Sequence, residues 1–468
     1  MSPRPDWYVD VTPIDPRRLE PIIGAGRVGE LLAGANALRK PLEGRRIVNV
    51  NSTASGGGVA EMLGTLLGYA RGVGIDADWL VIAGDPEFFA ITKRIHNGLY
   101  GSSGDGGPLG ATERKHYERA NAENVSRVSG AVRSGDIVIV HDPQPAGLMA
   151  PLRELGARVV WRCHVGYDGS NEWTKRAWEF VRPYVEVADA HVFSREAFAP
   201  SWIDRARLRV IPPSIDPFAP KNSDLAPYEV LAVLVGAGLV AADGVHPDER
   251  VRSPAHVVRE GPPADPRAPL VVQVSRWDRI KDMGGVLEGF ARHVTAPDAR
   301  LALVGPAVSG VADDPEGEQL WEETVARWRA LPRAVRARVD LATVPMDDPV
   351  ENALVINALQ RHATVVVQKS LAEGFGLTVA EAMWKSRPVV ASAVGGIVDQ
   401  IADGETGLLV QDPRDLESFG HAVERLLRDP IEADCLGRNA RSHVERHFLG
   451  DRHLLEYAAL ITELVAAG

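Results

Sequence analysis

Short apolar runs alternate with helix-length segments twice over along these 468 residues, and that double alternation restricts the fold more than any other feature. A strand, a crossover and a second strand of the same direction make a parallel sheet with helices packed on its faces, because the crossover is right-handed and folds back onto the sheet. The first series has strands at Arg46–Val50, Trp79–Ile82, Ile137–Val140, Arg158–Arg162, Ala190–Phe193 and Leu208–Ile211. Helices are read between them over Val59 to Gly72, Glu113 to Val132, Ala146 to Leu155 and Trp173 to Val181, and Pro212-Pro213 reads as a hinge. An irregular stretch from Asp216 to Pro269 follows, rich in proline and charge, with one helix near Pro227 to Val240. The second series starts at Leu270–Val274 and continues through Arg300–Val304, Val339–Thr343, Thr364–Val367 and Pro388–Ala391. The fold class expected is α/β, two Rossmann-like parallel-sheet domains facing across a cleft, since ligands in such sheets bind at the carboxyl ends of the strands. The expected boundaries are 1–44 for an N-terminal extension packing on the first domain, 45–215 and 216–440 for the two domains, and 441–468 for a helical segment that can cross back to the first.

Charge and cysteine content narrow the function classes. With 52 basic against 63 acidic residues, the net charge of −11 argues against a nucleic-acid or acidic-membrane partner. No apolar run reaches the roughly 20 residues that span a bilayer. The start, Met1-Ser-Pro-Arg-Pro-Asp-Trp7, lacks the basic-then-apolar design of a secretory signal. Cys163 and Cys435 are too few for a disulfide framework, so a reducing cytoplasm is the expected location.

The most telling segment runs from Lys369 to Met383. It leaves the buried-strand pattern Ala363–Gln368, passes Glu373-Gly374-Phe375-Gly376 and enters a helix near Leu377. Strand, glycine turn and helix start together cup unpaired backbone N–H groups, a setting for phosphate or another anion. Glu373 and Glu381 flank that cup. Carboxylates repel phosphate, so their task would be to accept hydrogen bonds from neutral hydroxyls of the same ligand. Phosphate beside hydroxyls is the profile of a nucleotide sugar. Read singly, each glutamate is an ordinary polar-loop or first-turn residue; the shared frame is what gives them a function.

Other segments end at strand termini where a ligand would sit. Ser275–Asp282 follows the first strand of the second series and carries Arg276 and Lys281, a guanidinium and an ammonium able to neutralise a diphosphate. Trp161-Arg162-Cys163-His164 ends a strand of the first series, and His141-Asp142-Pro143-Gln144 ends another. For the latter, acceptor binding and a structural Asx turn stand as equal alternatives. Gly56-Gly57-Gly58 lies at a helix start, where tight strand–helix packing alone explains the glycines, although the position at the first crossover also fits a floor under donor phosphate or acceptor sugar. Two matches are decoys. Gly24-Ala-Gly26-Arg-Val-Gly29 has the letters of a dinucleotide fingerprint, but Pro21 spoils the preceding strand, so it reads as a loop and helix start. Asp76-Ala-Asp78 reads as a polar turn, and nothing in the chain requires a metal.

The Glu-x7-Glu pattern with Gly-Phe-Gly-Leu after its first glutamate resembles the retaining nucleotide-sugar glycosyltransferases of family 4, which have the two-domain GT-B architecture. Asn51–Glu61, His141–Gln144, Trp161–His164, Phe193-Ser-Arg195, Pro212–Pro217 and Leu303-Val-Gly305-Pro306 are similar to the trehalose glycosyltransferring synthases. The resemblance implies glucose transfer from a nucleoside-diphosphate glucose (UDP-glucose or ADP-glucose) to free glucose, giving trehalose, often reversibly and without a further cofactor. It implies a first domain for acceptor and a second for donor. Arg276 and Lys281 would hold the leaving diphosphate and His164 the donor sugar. Glu373 would hold sugar hydroxyls, Glu381 the ribose, and Gly374, Phe375, Gly376, Leu377 and Gly305 would line the donor site. Gly56, Gly57, Gly58, Asp142, Gln144 and Arg195 would line the acceptor side. Related trehalose phosphorylases use phosphate in place of the nucleoside diphosphate, and another acceptor or a non-catalytic sugar sensor are further alternatives. A homodimer is compatible with all of these.

Overall fold

The computed structural model describes residues 5–55, 57–308 and 315–466. The chain divides into two compact units, Met1–Ile215 with Phe448–Gly468, and Asp216–His447. The second unit runs past the expected boundary at 440 because the helix Pro430–His447 is continuous and packs on the helix Leu377–Trp384 of that unit.

The first unit is built on a six-stranded sheet: β1 (Ile47–Asn51), β2 (Ala77–Val81), β3 (Ile137–His141), β4 (Arg158–Cys163), β5 (Ala190–Phe193) and β6 (Leu208–Val210). The order is β2-β1-β3-β4-β5-β6, and every neighbouring pair is parallel. Side chains alternate between faces: Val48, Val138 and Val159 enter one core, Ile47, Ile137 and Val160 the other. Burial on both faces explains why these strands read as continuous apolar runs. The helix Gly450–Ala466 belongs to this unit and packs on the helix Glu20–Arg39, where Arg27 grips Asp451 with bonds of 2.8 and 2.9 Å.

The second unit holds β7 (His256–Val258), β8 (Leu270–Val274), β9 (Arg300–Pro306), β10 (Val339–Val344), β11 (Val365–Gln368), β12 (Val389–Ser392) and β13 (Leu408–Val410). Their order is β13-β12-β11-β8-β9-β10-β7, parallel except for the β7–β10 edge pair.

Local readings need correction in several places. The helix expected to start within Gly24–Gly29 begins earlier, at Glu20, and runs to Arg39, with Pro21 in its first turn, where proline's missing N–H costs nothing. The Gly24–Gly29 stretch therefore lies inside it, and Gly24 (φ 78°) marks a kink. Asp78 is a buried strand residue, not part of a turn: its carboxylate lies 3.1 Å from Arg46 and 3.2 Å from Arg71. The helix Pro86–Leu99 is not among those expected from the sequence, although Asp85 caps it by accepting from Phe88 N at 2.7 Å and Pro86 follows directly. β7 and β13, three residues each, are not evident in the sequence, because strands that short carry almost no side-chain periodicity.

One consequence of the topology places the chemistry. Strand order reverses between β1 and β3 in the first sheet and between β8 and β11 in the second. Connections leave such neighbours toward opposite faces, which opens a crevice at their carboxyl ends.

Candidate active site

In the second unit the crevice between β8 and β11 joins Lys281 to Glu373. Lys281 lies in a short helical turn, Arg279–Lys281, after β8, and Glu373 lies in the turn after β11. The Lys281 ammonium donates to Glu373 Oε2 at 2.5 Å, and Ser370 Oγ donates to the same oxygen at 3.3 Å. Both charged groups are largely buried (side-chain exposure 15% and 7%), so their attraction is screened less than that of a surface pair.

Residues outside the motif hold this contact in place. Lys369, fully buried, pairs with Asp282, the neighbour of Lys281. Asp282 adopts φ 48° and also accepts from Gly285 N at 3.0 Å, capping the helix Met283–His293. Leu371 N donates to Ile280 O at 2.7 Å, and Gln273 bridges both loops through Lys369 N and Lys281 O. The sequence signal for Lys369 and Asp282 was their adjacency to the two loops; their pairing was not legible.

The glycine turn is supported from β12. A Cβ at Gly395 (φ 52°) would collide with the Glu373 carbonyl oxygen, and Gly396 N donates to Gly374 O at 3.2 Å. Gln400 Nε2 donates to the carbonyl of Phe375. Gly376, at φ 89°, precedes the helix Leu377–Trp384, which has no side-chain cap, so its first N–H groups and dipole are available to an anion. Glu381 lies buried in that helix; its Oε2 has no hydrogen-bond partner among the described residues, and Lys221 approaches Oε1 at 3.9 Å. Lys385, one turn on, donates to Gln360 Oε1 at 2.8 Å and to the Glu381 carbonyl at 3.0 Å. Burial pulls its ammonium down to about 7, with Glu381 opposing that fall.

Arg276 is half exposed and pairs with Asp278 of its own loop at 3.1 Å, so no described contact joins it to the Lys281–Glu373 pair. Gly305 plays a packing part: a Cβ there would come within 2.5 Å of Trp277 Nε1 and 2.7 Å of Ser275 O. Its missing side chain seats the loop that carries Arg276.

In the first unit the crevice between β1 and β3 is bridged by three neutral side chains, Asn49, His141 and His164, with Arg162 and Asp142 beside them. Asn49 Oδ1 lies 2.9 Å from His141 Nε2, and His141 Nδ1 lies 3.1 Å from His164 Nε2. The two imidazole planes are within 11° of each other. Asp142, at φ 64°, accepts from His164 N at 2.7 Å, so its turn positions the histidine directly. Burial holds His141 down to about 3 and His164 well below the usual imidazole range, with the adjacent Arg162 guanidinium adding to both. Burial also pushes the Asp142 carboxyl up to about 6. Arg162 is fully buried; Nη2 reaches Ser194 Oγ at 3.3 Å while Nε and Nη1 have no partner among the described residues. Gln144 is anchored by its carbonyl, which accepts from Asn121 at 3.3 Å, and its buried Oε1 is unpaired among those residues.

Arg195 lies beyond this cluster, pairing with Asp168 at 2.7 Å and covering the Phe198 ring. Gly57 (φ 93°) precedes the helix Gly58–Gly72 and has open space where a Cβ would stand. Gly56 lies outside the described residues. Sequence brings His141 forward only as part of the His141–Gln144 segment and does not mark Asn49, since an asparagine in an apolar strand reads as a buried structural polar group. Among the described residues no group of His, Cys, Asp and Glu is placed to hold a metal ion, and no helix is long and apolar enough to cross a membrane.

Comparison with known proteins assigns the class and then the family. A family model described as glycosyl transferases group 1 matches residues 257–443. A solved α,α-trehalose-phosphate synthase (UDP-forming) from Burkholderia vietnamiensis superposes with a TM-score of 0.66 over 90% of this chain and 99% of that one, at 15% identity. The protein is thus a glycosyltransferase with the GT-B fold. A second model, trehalose synthase N-terminal domain, matches residues 49–200. The trehalose synthase of Pyrococcus horikoshii is 36% identical over 95% of both chains. The chain belongs to the trehalose synthase family. A trehalose phosphorylase from Pleurotus pulmonarius is 25% identical over 90% of this chain but only 57% of its own length.

Proposed function

We propose that this protein is a retaining glucosyltransferase that makes trehalose from a nucleoside-diphosphate glucose and free glucose, and that it can run in reverse. The observation that carries the reading is the buried Lys281–Glu373 pair beside an uncapped helix start at the β8/β11 switch point. A cation, backbone N–H groups and a carboxylate in one crevice match a ligand that bears a diphosphate and sugar hydroxyls.

The roles follow from charge. As the bond from the anomeric carbon to the diphosphate breaks, negative charge grows on the leaving oxygen. Lys281, Arg276 and the amides of the Gly374–Leu377 turn would stabilise it without reorganising. Arg276 would exchange its exposed contact with Asp278 for the diphosphate. Glu373, held by Lys281 and Ser370, would accept from donor-sugar hydroxyls, and the unpaired Oε2 of Glu381 would accept from the ribose. The acceptor glucose attacks from the face that the diphosphate leaves, and a leaving phosphate oxygen takes its proton, so configuration is kept. A covalent path through Glu373 fits less well, because a carboxylate tied to an ammonium at 2.5 Å is a weakened nucleophile. In the first unit Gln144, Asp142, Arg195 and the Gly57–Gly58 helix start would line the acceptor side, with His164 reaching a sugar hydroxyl. The proposal needs no metal; the UDP-forming activity named for the Burkholderia synthase makes UDP-glucose the first donor to try.

The phosphorylase-like alternative is favoured by one finding, the similarity to the Pleurotus enzyme, which extends along nearly the whole chain. One experiment separates them. The protein is incubated with trehalose and either UDP, ADP or inorganic phosphate, and the glucose product is identified. Formation of a nucleotide glucose supports the proposal, glucose 1-phosphate supports the phosphorylase, and neither product refutes both.

A further inference from the structure

The neutral chain Asn49–His141–His164 decides which ring nitrogen of His164 carries a proton. The Asn49 amide turns its Oδ1 toward His141 Nε2 at 2.9 Å and leaves its Nδ2 buried with no partner among the described residues; in this orientation the oxygen only accepts, so the hydrogen lies on Nε2. Both imidazoles are neutral, so His141 Nδ1 then holds a lone pair. The contact of Nδ1 with His164 Nε2 at 3.1 Å, between nearly coplanar rings, needs a single hydrogen, which must come from His164. His164 Nδ1 is left with its own lone pair. It has no partner among the described residues, and the residue is only half-buried.

We infer that Asn49 and His141 are positioning residues that hold His164 in its Nε2–H tautomer, so that Nδ1 accepts a hydrogen bond from a hydroxyl of the bound sugar. The sugar as ligand rests on the glucosyl-transfer reading above; the tautomer does not. The surroundings keep the relay from scrambling. Arg162, directly across from His141 in the strand register, disfavours a second proton on either ring, and His453 adds to this at His164. The Asp142 carboxylate takes the backbone N–H of His164 and so restrains the ring without offering an acceptor to its side chain. Like Glu373 and Glu381 on the other unit, His164 would then read hydroxyls as an acceptor. A sugar position that cannot donate a hydrogen would be rejected there.

The first arm of the test needs no substrate. Ring-15N histidine is incorporated into the full chain, long-range 1H–15N correlations are recorded at pH 7.5, and His164 is assigned by the signals lost in His164→Gln. A protonated, pyrrole-type Nε2 with a pyridine-type Nδ1 is expected, unchanged as the pH is lowered to 6. A pyrrole-type Nδ1, or protons on both nitrogens, overturns the inference. The second arm compares UDP-glucose with analogues bearing fluorine in place of one hydroxyl, because fluorine cannot donate. For one analogue the wild type should lose about tenfold or more in kcat/KM. That discrimination should collapse in His141→Phe, which leaves the tautomer free, and persist in His141→Gln, whose amide oxygen can still accept from Nε2–H. Equal discrimination in wild type and His141→Phe overturns the positioning role. Slowing caused by fluorine's inductive effect appears in every variant and cancels in this comparison. If the protein transfers no sugar, the functional proposal fails while the tautomer remains measurable.

Discussion

The two units use the same topological device with opposite electrostatics. Each sheet opens a crevice where its strand order reverses, at β1/β3 in one and β8/β11 in the other. The second unit bridges its crevice with an ion pair, Lys281 to Glu373, braced by a second buried pair, Lys369 to Asp282. The first bridges its crevice with an amide and two imidazoles that burial and Arg162 keep neutral. A crevice with mobile charge to offer suits a polyanionic leaving group, whereas fixed neutral donors and acceptors suit an uncharged sugar. The fold supplies the place; the side chains at the strand ends decide what each place can hold.

The largest effect should come from breaking the charged bridge. Glu373→Ala removes the hydroxyl acceptor and leaves Lys281 buried without its partner, so turnover should fall by about 10²- to 10³-fold. Steady-state rates of trehalose formation measure this, and near wild-type turnover would sink the assigned role. Arg276→Ala comes next. With its side chain half exposed, the loss should spare stability and weaken nucleoside diphosphate binding by about tenfold to a hundredfold in calorimetry. Unchanged affinity would mean that Lys281 and the helix start hold the diphosphate alone.

These charged residues were legible because sequence shows side-chain type and strand-end position. Arg276, Lys281 and Glu373 stand out as charges in the loops that follow apolar runs, and Glu381 by its spacing from Glu373 in the helix beyond. The neutral half was harder to read. Asn49 hides inside a strand, and its partner His141 acquires meaning only once β1 and β3 are neighbours, a pairing between residues far apart in the chain. The same blindness concealed Asp78, whose burial depends on Arg46 and Arg71 arriving from other elements. Main strands were readable because both faces of each sheet are buried; the three-residue edges β7 and β13 were not, because backbone pairing defines them.

Acid should separate the neutral crevice from the charged one. The folded pKa of His141 is depressed from 6.5 to about 3, so its contribution is present above 6.5 and is lost as the pH falls toward 3. Each pH unit below 6.5 then costs about 1.4 kcal/mol for such a histidine. His164 and His453 shift in the same direction. Asp142, raised to about 6, acts the other way: its penalty is relieved as the pH falls from 6 toward its ordinary value near 3.8. The histidines outnumber it, so urea unfolding should show net destabilisation between pH 7 and 5. His141→Gln should flatten that slope; an unaltered slope would mean that His141 is not the buried neutral group described.

The smallest effects test two glycines that sequence placed in ligand contact. Gly305 and Gly57 sit near the two crevices but lack side chains for different reasons. At Gly305 the space is filled by Trp277 and Ser275, so Gly305→Ala should cost about 1–3 kcal/mol through overpacking. Because that loop carries Arg276, the same change should weaken diphosphate binding. At Gly57 the space is open, and only φ 93° opposes a side chain, which amounts to about 1–2 kcal/mol. Gly57→Ala should therefore lower the unfolding midpoint slightly and leave diphosphate affinity untouched. Any rise in KM should be confined to free glucose, since the methyl group would project into space that an acceptor sugar can use. A loss of diphosphate affinity in Gly57→Ala, or none in Gly305→Ala, would show that the division of labour between the charged and the neutral crevice is wrongly drawn.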